Sequence, residues 1–154
     1  MRSCVHRQQD RGSFLSLYLY NSINKKDMSY YISKMTGLGF EEALKKVTEE
    51  LQKEGFGVIT EIDVRETLKK KLDLDFRPYV ILGACNPHYA HKALGLDDKI
   101  GALLPCNFVV QERQDGTEVF AMNPRETMSK LLGDEIEEIS NAITQKVQNV
   151  LDRL

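Results

Sequence analysis

From residue 28 onward the apolar positions switch between a period of two and a period near 3.6, and each switch marks an element. "SYYISKM" has the aromatic and β-branched character of a strand. After a turn at residues 37–39, Phe40, Ala43, Leu44, Val47 and Leu51 fall at helical spacing. Glu41 and Glu42 stand in that helix's first turn and Gly55 follows its end, as the helix dipole and a left-handed cap favour. "GVITEID" predicts a second strand. Asp63, with Glu66 three residues on, predicts the start of a short helix whose apolar stripe is Val64, Leu68 and Leu72. "PYVILGAC" has no polar alternation, which predicts a central strand buried on both faces.

Asn86 and Pro87 then predict a helix start, because Asn is a preferred N-cap and Pro suits the first helical position; Gly95 is read as its stop. "DDKIGALLP" predicts a short helical turn, and "CNFVVQERQDGTEVFAMNP" a β-hairpin turning at residues 114–116. Asn123 and Pro124 repeat the helix-start pair. A final helix is expected from Asp134 with Glu137 as capping-box partner, and Ile136, Ile139, Ile143, Val147, Val150 and Leu154 give it one long apolar stripe. The closing hairpin breaks the strict strand–helix alternation that a doubly wound sheet requires. The pattern therefore predicts an α+β domain, an antiparallel sheet covered on one face by helices that include a long C-terminal one.

Residues 1–27 read differently. They open with scattered Arg, Gln and Ser, carry the apolar patch "FLSLYLY" broken by Ser16, and end in a polar stretch. A secretory signal needs an uninterrupted apolar segment followed by small residues. Two readings are open: a leader or non-native extension ahead of a single domain over residues 28–154, or an added edge strand.

Composition narrows the classes. The 154 residues, 42% of them apolar, suit one domain with one core. Against 23 acidic residues stand 21 basic ones, for a net charge of -2, which lacks the electropositive footprint of a nucleic-acid binder. Cys4, Cys85 and Cys106 are an odd, irregularly spaced set, unlike a secreted disulfide framework, so a reducing cytoplasm is expected. The apolar run "YVILGAC" falls well short of the roughly 20 residues that span a bilayer, and no membrane partner is expected. Arg65, Lys69, Lys70 and Lys71 on the short helix are read as a solvated face before an anion site.

Residues 55–110, and within them "EIDVRETLKKKL", "LGACNP" and "LPCN", resemble a family of small prokaryotic proteins called domain of unknown function 302, with the likeness running from residue 28 to about 132. The resemblance implies a TATA-binding-protein-like α+β fold and a homodimer. It implies no reaction, cofactor or catalytic residue.

Candidate chemistry gathers at "GACNPHYAHKAL" and "LPCN". His88 and His91 share a helix face and Cys85 precedes that helix; with Cys106 they make a Cys and His set of the kind zinc accepts. The paired spacings of structural zinc sites are absent, so no metal is assigned. Cys85 beside a helix N-terminus is a candidate reactive thiol with a lowered pKa, whereas the plainer reading makes both cysteines small apolar fillers. A third reading uses the first-turn N–H groups of residues 86–89, with the histidines as added donors, to hold a small carboxylate or phosphate. The sequence thus points first to an anion-binding or accessory module with Cys85, Asn86, His88, His91 and Cys106 around its ligand. A thiol-dependent redox or metal enzyme using Cys85, His88, His91 and Cys106 is the alternative. No cofactor is assigned, and a homodimer is expected because an open sheet edge and surplus apolar surface favour association.

Overall fold

A computed structural model describes residues 29–154, so both readings of residues 1–27 lie outside the described residues. The elements in chain order are β1 (Tyr31–Thr36), α1 (Phe40–Lys53), β2 (Gly57–Asp63), α2 (Val64–Leu72), β3 (Tyr79–Cys85) and α3 (Pro87–Leu96). They continue with a 3-10 turn (Asp98–Leu103), β4 (Cys106–Arg113), β5 (Gly116–Met122), α4 (Pro124–Leu132), a second 3-10 turn (Asp134–Ile136) and α5 (Glu137–Asp152). The strands form one five-stranded sheet in the order β1-β5-β4-β3-β2. Every neighbouring pair in it is antiparallel.

Strand alternation divides the sheet into two faces. Val80, Leu82 and Ala84 of β3, Phe108 and Val110 of β4, and Val119 and Ala121 of β5 point inward and are buried. Against them lie Ala43, Val47 and Leu51 of α1 and Ile143, Val147 and Val150 of α5, all in one core cluster. Each fully buried Val, Leu or Phe side chain contributes roughly 1.5–3 kcal/mol, so this shared stripe holds the two helices to the sheet. Phe108 meets Phe56 edge to face, with ring centroids 6.2 Å apart. The α+β architecture and the covering C-terminal helix are as the pattern predicts.

Local signals explain how the chain turns. Gly55 takes a φ of +80°, and the N–H of Phe56 donates to Leu51 O at 2.9 Å, which closes α1 with a left-handed cap. Asp63 Oδ1 accepts from Glu66 N–H at 2.8 Å and starts α2. Gly116 sits at a φ of +132° after the two-residue hairpin turn, where a Cβ would stand 2.8 Å from Thr36 O.

Four expectations are corrected. β3 is not buried on both faces, since Tyr79 and Ile81 on its outward side are half-buried. Gly95 does not end α3, which runs on to Leu96; one glycine in a short helix is tolerated when the next residue, Asp97, caps the following turn through Lys99 N–H. The final α-helix starts at Glu137, not Asp134, and the capping box does not form because a 3-10 turn occupies residues 134–136. Asn123 precedes α4 without a side-chain cap: its amide donates to Ser29 O at 3.2 Å instead.

Candidate functional site

The end of β3 and the start of α3 form the frame. A Cβ at Gly83 would meet Thr60 Oγ1 and stand 2.7 Å from Pro105 Cγ, so the glycine lets β2 and the segment before β4 close on β3. Two residues on, Cys85 ends the strand. Asn86 Oδ1 accepts from Tyr89 N–H at 3.5 Å, and Asn86 Nδ2 donates to Glu54 O at 3.4 Å. This buried side chain therefore caps α3 and ties its start to the end of α1.

The two thiols share one wall. Cys85, Cys106, Phe56, Tyr89 and Met128 border a narrow, almost wholly apolar hole of about 10 Å³. That space holds one water at most, and a hole with apolar walls stays dry. Burial pushes the Cys85 thiol above its ordinary range. Burial, with a smaller repulsion from Cys85, pushes Cys106 up to about 12. The shift runs opposite to the lowering expected from the helix dipole, and its cause is burial among the apolar groups that border the hole.

The histidines lie elsewhere. His88 and His91 are exposed on α3, whereas Cys106 is buried beneath it. Among the described residues no group of three or more Cys, His, Asp or Glu side chains is placed to hold a metal ion. The set Cys85, His88, His91 and Cys106 is therefore not assembled as one ligand sphere. Asn86 and His88 instead border an open concavity of about 540 Å³ whose other walls include Lys53, Lys92 and Lys146 together with the carboxylate of Glu54; His91 stands outside it.

The lysines arrive from three elements. Lys53 ends α1 and pairs with Glu50 Oε1 at 2.6 Å. Lys146 of α5 donates to Glu54 O at 3.1 Å and lies 3.4 Å from Glu54 Oε2. Lys92 belongs to α3 and has no ion-pair partner among the described residues. The amide supply is smaller than the sequence reading implies. Pro87 has no N–H, Tyr89 N–H is turned to Asn86, and His88 N–H is the first-turn donor left without an intrahelical partner. Lys53 and Lys146 escape a sequence reading because their neighbours are set by folding. By contrast the four cations of α2 are an ordinary solvated face, with Lys69 paired to Asp73 and Asp75 and Lys70 to Glu66.

Fold and site together define a class: a one-layer antiparallel sheet backed by helices, with a basic concavity beside a capped helix start. The chain belongs to the family of the domain of unknown function DUF302, whose sequence pattern matches residues 32–154. That match reaches the end of α5, beyond the segment whose motifs carry the resemblance. The chain is similar to the crystal structure of an uncharacterized conserved protein DUF302 from Bacillus stearothermophilus, with 32% identity and a TM-score of 0.75 over 80% of this chain and 97% of that one. No curated protein matches the chain.

Proposed function

We propose that the chain is a small-anion-binding or accessory module whose ligand sits in the concavity beside the Asn86–Pro87 helix start. The carrying observation is that Lys53, Lys92 and Lys146 converge from three elements around His88 and the positive end of α3. Such a site suits an inorganic phosphate or a small carboxylate, held by charge and by the His88 N–H. Titrating phosphate into the protein and following backbone amide shifts tests it. Shifts at His88 and Lys92 are expected, with affinity falling roughly tenfold in Lys92→Gln, since a charged hydrogen bond contributes about 1.5 kcal/mol. Cys85→Ser should bind as the parent does. Absence of shifts at millimolar phosphate defeats the reading, and loss of binding in Cys85→Ser would favour the thiol-dependent alternative.

Two further parts of the reading have support of their own. Free Cys85 and Cys106, with no helix among the described residues long and apolar enough to cross a membrane, suit the cytoplasm. Two copies form the working unit, a reading supported by large apolar side chains left exposed on the outward sheet face, among them Met35 and Ile62.

A further inference from the structure

We propose that the sheet face opposite α5 is the surface on which two copies of this chain meet, which rests on and deepens the two-copy reading above. The strand register places Ile62, Ile81, Val109 and Phe120 in one row across β2, β3, β4 and β5 on that outward face. Aromatic rings flank the row. Phe120 contacts Tyr31 at 5.9 Å and Tyr79 at 6.4 Å between centroids, and Phe76 lies 6.0 Å from Tyr79. At the rim Ile62 is 48% exposed and Met35 47%.

The polar groups on the same face identify the occupant. Arg77 donates through Nε and Nη2 to Gln111 Oε1 at 2.9 and 2.6 Å while its guanidinium stacks on Phe76 at 4.5 Å. Gln111 passes a hydrogen bond of 2.8 Å to Glu118 Oε2, and Arg113 lies 3.8 Å from that same oxygen. Both signs of charge therefore stand beside one apolar row. An isologous contact needs a patch that complements itself, and a two-fold axis can set the arginines of one copy against Glu118 of the other. An apolar, aromatic centre with an arginine-bearing polar rim is the usual anatomy of a protein interface. A nucleic acid wants a surface of one positive sign, and the Glu118 carboxylate here opposes it.

Light scattering on the full chain at micromolar concentration tests this with Met35→Glu, Ile62→Lys and, on α3 away from the face, Leu94→Glu. All three positions are exposed in the single copy, so the variants should fold with unchanged circular dichroism. The parent and Leu94→Glu should be dimers, and Met35→Glu and Ile62→Lys should weaken the dimer roughly 30-fold or more, as loss of an interface anchor does. A monomeric parent overturns both the two-copy reading and this face. A dimer that survives both face variants, or is lost only in Leu94→Glu, overturns the face and leaves the dimer standing. Binding of an RNA oligomer or an anionic vesicle by a monomeric parent, lost in the same face variants, would assign the surface to that occupant instead.

Discussion

Cys85 sits where two effects oppose one another. The N-terminus of α3 favours a thiolate, and the apolar wall it shares with Phe56 and Tyr89 favours the thiol. Burial wins: the thiol is pushed above its ordinary range by desolvation among these apolar groups. Cys85 should therefore alkylate slowly at neutral pH, with an apparent pKa above that of a free thiol, and Cys106 should react only as the protein unfolds. Iodoacetamide labelling across a pH series, read by mass spectrometry, checks this; a Cys85 titration below 8 would restore the reactive-thiol reading. Asn86 as a helix cap was legible because the cap is local, its acceptor lying three residues from the donor. Its second bond, to Glu54 O, was not, since it joins positions 32 residues apart.

At the level of elements, the end of α1 is bound to α5 through a carboxylate pair. Glu50 is buried, and its Oε2 accepts from Arg153 Nε at 2.6 Å while Oε1 lies 2.6 Å from Lys53 Nζ. The Lys53 hydrogen bond, with Arg153 adding to it against the opposing effect of burial, lowers Glu50 from an ordinary 4.5 to about 2. Glu54, bonded to Arg153 and Lys146, is lowered as well. A carboxylate with a lowered folded-state pKa stabilises fully above its unfolded value, and that contribution disappears as the pH falls toward the folded one. Arg153→Ala should thus melt several degrees lower than the parent at pH 7, with the gap narrowing between pH 4.5 and 2. A gap constant over that range would mean that Arg153 acts through packing alone. Sheet packing offers a larger effect: Phe108→Ala, at the centre of the core, should destabilise by about 3–5 kcal/mol in chemical denaturation. A loss under 1 kcal/mol would show the core able to collapse around the missing ring.

For the whole molecule, the order of elements could be read from the chain because each apolar period is a local property and the antiparallel hairpin is announced by its turn. Which strands neighbour one another could not. β1 pairs with β5 and β3 with β4, contacts fixed by core packing across long separations. The candidate site divides in the same way. "GACNPH" named the helix start, yet the reading grouped with it His91 and Cys106, which do not line the concavity, and it omitted Lys53 and Lys146, which only folding sets beside His88. The central claim is that this assembled basic concavity, and not the thiol pair, is where the chain meets a ligand. The most direct measurement is a phosphate titration of the full protein followed by amide chemical shifts. Saturating shifts confined to His88, Lys92 and the ends of α1 and α5 are the predicted result. Shifts absent at these positions, or centred on Cys85 and Cys106, would contradict the account.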